Sequence, residues 1–175
     1  MRAFSPCFLL LLLVLGHTPA WADEVTDAQS LLKRGETARA LQRIEARVAA
    51  KPQDAQARFL QGVILTELKR SDDAKAVFRQ LTIEFPQLPE PYNNLAVLYA
   101  ASGHFEEARQ ALEAAIRANP KYGVAYENLG DIYAQLASNA YDKAAAISPN
   151  ASLNSKLRLA RELTGDAQIP PTGKL

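Results

Sequence analysis

The feature that most limits what this chain can become is a spacing. Pro52, Pro86 and Pro120 stand 34 residues apart, and so do Ala40, Ala74 and Ala108. Ile44, Phe78 and Leu112 keep the same interval, as do Leu31, Leu65, Tyr99 and Tyr133. The stretch from Tyr92 to Pro120 shows the repeating unit most fully. Tyr92, Leu95, Ala96 and Tyr99 recur at helical spacing and line one face of a first helix. Ser102-Gly103 interrupts the pattern, because glycine accepts the positive φ that ends a helix. Ala108, Leu112, Ala115 and Ile116 then build the stripe of a second helix, which Pro120 stops. Neither helix can bury its apolar face within one αα-hairpin, so successive hairpins must stack.

A period of this length, with small residues at helix crossings and a closing proline, resembles the tetratricopeptide repeat. The resemblance covers roughly Asp23 to Pro149. It implies an all-α, right-handed superhelix of αα-hairpins, and it names a scaffold rather than a chemistry.

The departures from the pattern are informative. In the first unit Asp27 and Arg47 fall where Leu95 and Ala115 sit in the third, as suits a terminal repeat with one side in water. Arg39, Arg43 and Arg47 form a row at i, i+4, read as a solvated face near Glu36 and Glu45 rather than a binding patch. The second unit lacks the glycine and turns through Lys69-Arg70-Ser71. Its Arg58 replaces the aromatic found at Tyr92 and Tyr126, so the joint to the first unit is expected to be less tightly filled.

The fourth unit is short. Tyr133 and Tyr141 are eight apart where Tyr99 and Leu112 are thirteen, so five residues that include the turn are missing. The alanine-rich stretch from Val124 to Ile147 is therefore expected to form one helix, ~35 Å long at about 1.5 Å per residue, with a tight turn at Ser138-Asn139 as the alternative. Beyond Pro149, Leu153, Leu157, Ala160 and Leu163 make the stripe of a C-terminal capping helix that Thr164-Gly165 ends. Residues 165–175, with Pro170-Pro171, lack periodicity and are expected to be a disordered tail.

The front end has a different character. Arg2, the apolar run Phe8 to Leu15 and the small-x-small site Ala20-Trp21-Ala22 follow the order of a secretory signal peptide, residues 1–22, cleaved after Ala22. The rival is an uncleaved anchor, but eight apolar residues are far fewer than the ~20 that span a bilayer. Cys7 precedes the apolar run, whereas a lipidated cysteine would follow it. Cleavage would leave residues 23–164 as the repeat domain, in the periplasm or outside the cell, with no stable membrane span.

The full chain has 20 Lys and Arg against 19 Asp and Glu. Arg2 is the only charged side chain before residue 23, so the mature chain would be neutral, which argues against nucleic acid as a partner. Cys7, Met1, Trp21 and His17 would leave with the leader. With no cysteine and only His104, nucleophile triads and cysteine zinc sites have almost no material. His104 reads as a turn residue, and Glu106-Glu107 and Asp72-Asp73 as carboxylates favoured at helix starts. Asn150-Ala151-Ser152 matches a glycosylation sequon, but a helix start explains it more simply. No catalytic constellation, metal site or cofactor motif is expected, and the chain is read as not an enzyme.

What the resemblance adds is a candidate surface. In tetratricopeptide proteins the first helices of successive units line a concave groove. The positions carried over are Phe59, Leu60, Val63 and Glu67, then Asn93, Asn94, Val97 and Ala101, then Glu127, Asn128, Asp131 and Gln135. The amides of Asn94 and Asn128 can donate to and accept from an extended peptide backbone; a purely structural role for them is the alternative. Phe59 and Val63 stand where the family's carboxylate clamp needs lysine and asparagine, so that clamp is not met. The expected function is a non-catalytic adaptor that binds a protein or peptide segment in the groove. The alternative is a structural or assembly subunit of a cell-envelope complex that works through its convex face.

Overall fold

A computed structural model describes residues 21–164, and the side chains from residue 24 onward. The expected leader and tail therefore lie almost wholly outside the described residues. Among those residues the chain forms eight α-helices and no strand: α1 Trp21–Lys33, α2 Thr37–Ala50, α3 Ala55–Glu67, α4 Ser71–Glu84, α5 Pro89–Ala101, α6 Phe105–Ala118, α7 Gly123–Ile147 and α8 Ala151–Thr164. Each helix packs on its neighbour in sequence, and α1 also touches α3. The result is a solenoid of antiparallel pairs.

The turns between paired helices repeat as the sequence does. Gly35, Lys69 and Gly103 all hold positive φ, at 76°, 60° and 77°. Behind each, two backbone bonds close the helix. Gly35 N donates to Leu32 O and Glu36 N to Leu31 O, and the same pair recurs at Lys69 with Arg70 and at Gly103 with His104. This arrangement satisfies carbonyls that the helix end would otherwise orphan. Lys69 adopts it without glycine, in a left-handed conformation that costs a non-glycine residue roughly 1–2 kcal/mol.

The first and second helices of a pair are buried differently. α5 buries Pro89, Pro91, Asn93, Asn94, Leu95, Ala96 and Leu98, whereas α6 buries only Ala108, Leu112 and Ala115. A first helix lies between two second helices and is covered on most sides, while a second helix keeps one face in water. Ala40, Ala74 and Ala108 have no exposed surface and seat the crossings. One turn further along the same helices, Ile44, Phe78 and Leu112 are the large side chains that fill each pair.

The filling is matched to the space left for it. A Cβ placed on Gly62 would lie 2.6 Å from the Phe78 ring, which itself has no exposed surface. At the equivalent positions Ala96 shares a buried cluster with the smaller Leu112, and Ala28 with Ile44. At these positions of the first three units the one glycine is thus set against the one aromatic. Phe78 also meets Phe59 at 5.6 Å between ring centroids, tilted by 55°, an arrangement that aromatic pairs favour.

Several expectations need qualification. Arg39 and Arg43 lie on a solvated face, paired with Glu36 and Asp27. Arg47 does not: it is buried, and its Nη2 lies 2.6 Å from Asp54 Oδ2. Asp54 also caps α3, accepting from Ala57 N at 3.0 Å. Desolvation works to raise the Asp54 carboxyl, but that backbone bond and the Arg47 guanidinium outweigh it and hold it below the ordinary value. Arg58, in place of an aromatic, pairs within its own unit with Glu84 at the end of α4. In the third unit Tyr92 instead donates its hydroxyl to Thr82 O of the preceding helix, at 3.2 Å.

The fourth unit is one unbroken helix of 25 residues, with no turn at Ser138-Asn139. α8 packs back on it, capped by Asn150, whose side chain accepts from Leu153 N at 2.9 Å. The capping stripe is only partly covered. Ala160 is buried and Leu153 and Leu157 are half-buried, but Leu163 is 71% exposed, a correction to the expected stripe. A 14-residue helix also covers only part of a 25-residue one, so part of α7 stays open as well.

Three substitutions test this packing and the turns. Gly62→Ala improves helix propensity but drives a methyl into Phe78, so it should lower unfolding stability by ~1–3 kcal/mol, as overpacking does. Adding Phe78→Leu, which recreates the third unit's pairing, should recover much of the loss in chemical denaturation. Lys69→Gly should raise stability by about 0.5–1 kcal/mol, because the left-handed residue costs roughly 1–2 kcal/mol and glycine's extra unfolded-state freedom offsets part of the gain.

Candidate peptide-binding groove

The carried-over positions fall on α3, α5 and α7, the first helices of the second, third and fourth units. They do not all present themselves to a ligand. Glu67, Ala101, Glu127 and Asp131 are exposed, while Phe59, Val63, Val97 and Gln135 are half-buried. Leu60, Asn93, Asn94 and Asn128 are buried, with Leu60 and Asn93 showing no exposed surface.

The reason lies in what one position does in successive units. Leu60, Asn94 and Asn128 are repeat equivalents, and all three face the interior between units. Leu60 joins the apolar cluster of α1 to α5. Asn94 turns its amide back along its own helix and donates to Glu90 O at 2.9 Å. Asn128 donates to the Asn93 side-chain oxygen at 2.8 Å, joining α7 to α5 in a buried amide pair. Sequence periodicity aligned Asn128 with Asn94, but the contact runs from Asn128 to Asn93, one residue earlier. Alignment identifies equivalent positions, whereas the helix crossing decides which of them touch.

That amide pair leaves one demand unmet. The Asn93 Nδ2 group is buried without a hydrogen-bond partner. A buried donor of this kind costs about 1–3 kcal/mol when unsatisfied, which offsets part of what the Asn128–Asn93 bond contributes to the α5–α7 joint. Gln135 Nε2 donates to Asn139 Oδ1 at 3.2 Å along the same helix.

The accessible lining therefore has two characters. Toward the second unit, Phe59 and Val63 offer a half-buried apolar strip. Toward the fourth, Glu127 and Asp131 stand exposed, and the stretch from Gly123 to Tyr141 contains no Lys or Arg to balance them. No group of His, Cys, Asp and Glu among the described residues is arranged to hold a metal ion. No helix among them is long and apolar enough to cross a membrane.

Paired helices at this period, stacked into a solenoid with an open face, define a helical-repeat scaffold. Two models of the tetratricopeptide repeat match the sequence, at residues 26–89 and 65–136. Together they span more than half of the chain, and it belongs to the tetratricopeptide-repeat family. Solved structures agree on the fold. A thermophilic tetratricopeptide-repeat protein of Thermus thermophilus is similar at a TM-score of 0.63 and 23% identity, over 83% of this chain and 84% of that one. The MamA protein is similar at 0.61 and 19% identity, over 87% of each chain. The type III secretion translocator chaperone SycD of Yersinia enterocolitica is similar at 0.63 and 14% identity, over 66% of this chain and 93% of its own. A comparison with curated protein sequences gave no match. Scaffolds of this family are typical protein–protein interaction adaptors and bind protein partners.

The buried amides make a measurable claim. Asn128→Ala removes the donor that the Asn93 side-chain oxygen accepts from and leaves Asn93 more deeply orphaned, so it should cost about 1–3 kcal/mol. In a double-mutant cycle with Asn93→Ala the two losses should fall short of adding. Additive losses would mean that the pair does not act as one unit.

Proposed function

We propose that the chain is an exported adaptor that holds an extended or helical segment of a partner protein in the groove formed by α3, α5 and α7. The observation that carries this reading is the mixed lining: half-buried Phe59, Val63 and Val97 beside exposed Glu67, Glu127 and Asp131 on consecutive first helices. Apolar strips supply burial and the acidic end favours a segment with basic residues, an arrangement that gives register as well as grip. Leu60, Asn93, Asn94 and Asn128 shape the groove from beneath, and their amides act on a ligand through the spacing of α5 and α7. Export rests on the order of Arg2, the apolar run and Ala20-Trp21-Ala22, which suits the periplasm or the cell exterior.

A second reading, a structural subunit that works through its outer face, is favoured by Ile83, which is 67% exposed on α4. Photo-crosslinkers at Val63, Val97 and Ile83 of the full chain separate the two. Capture of one protein through Val63 and Val97, and its absence through Ile83, is expected. Capture through Ile83 alone would assign the contact to the outer face and remove the groove from function.

A further inference from the structure

The end of the array carries a second surface, which adjoins the groove and shares its acidic residues Glu127 and Asp131. In the first three units a small residue of the first helix sits under a large one of the second: Ala28 with Ile44, Gly62 with Phe78, Ala96 with Leu112. The fourth equivalent is Gly130. Because this unit lost its turn, no second helix returns over that point, and a Cβ built on Gly130 meets nothing within 4 Å. On either side, Tyr126 and Tyr133 are 50% and 49% exposed. Their counterparts Tyr92 and Tyr99 are half-buried against neighbouring helices. Helical spacing puts Tyr126, Gly130 and Tyr133 on one face. That face is an aromatic-edged seat with its floor open.

We propose that this face docks a basic amphipathic α-helix of a partner protein, with a leucine- or phenylalanine-sized side chain seated on Gly130. The shape argument is continuity: the same position in the same fold is filled three times by such a side chain from a helix. The charge argument selects the partner. Glu127 and Asp131 flank the seat, and α7 has no Lys or Arg before Lys143. Two copies of this chain paired through the face would set Glu127 and Asp131 against their own counterparts, which opposes self-pairing. A helix with Lys or Arg beside its apolar stripe meets both demands.

The probe is a synthetic peptide with the sequence of α6, Phe105 to Ala118, the helix that covers Ala96 in the third unit. One version carries Glu106→Lys, Glu107→Lys and Glu113→Lys; the other is unchanged. Titration of each labelled peptide with the full chain at low salt should show at least tenfold tighter binding of the lysine version. Gly130→Leu fills the seat from within its own helix, where leucine is the better helix former. It should weaken that binding at least tenfold while melting no lower than the native chain, and Tyr126→Ala should weaken it in the same direction. Capture through Val63 and Val97, on α3 and α5, should be unchanged by Gly130→Leu, which separates the seat from the apolar part of the groove. Several results would overturn the proposal: equal binding of the two peptides, binding by neither, or affinity indifferent to Gly130→Leu. A native dimer that Gly130→Leu splits would assign the face to a second copy. A tenfold gain in peptide affinity on deleting residues 165–175 would assign it to the chain's own C-terminal segment.

Discussion

The contact on which the rest depends is the seating of a large apolar side chain over a small residue where two helices cross. Helix axes approach to within about 8–10 Å only when the residues between them permit it. Ala40, Ala74 and Ala108 permit it on one helix, and Ala28, Gly62 and Ala96 on the other. Ile44, Phe78 and Leu112 then occupy the space with no exposed surface. Were these residues larger or polar, the hairpins would open and each first helix would lose its cover.

From this seating follows the division of labour between helices. First helices are held on most sides and can place residues at fixed separations across units. Second helices keep a wet face with ion pairs such as Arg109 with Glu106 and Glu113. These exposed pairs contribute little to stability. Binding positions belong on the held helices, because a ligand gains from contacts already in place. The proposed groove is therefore a product of the same packing that makes the core.

The fourth unit shows the converse. Losing five residues fused two helices into α7, and the returning α8 covers only part of it. What the sequence shows as a deletion becomes in space an uncovered aromatic face. The repeat rule that builds the core in three units, broken once, leaves an open seat.

Much of this was legible in the chain itself. The period, the pairing of helices, the turn forced through Lys69 and the fusion of the last unit all follow from spacing, because local backbone rules and helical periodicity act within a few residues. The groove was legible only as a set of positions. That Asn128 meets Asn93 rather than its repeat equivalent, that Asn94 bonds to its own helix, that Arg47 is buried on Asp54 and that Leu163 stays in water were decided by crossing angles and helix lengths. Those depend on how every side chain at a joint fills its volume at once, a property of neighbours in space that no single interval along the chain contains.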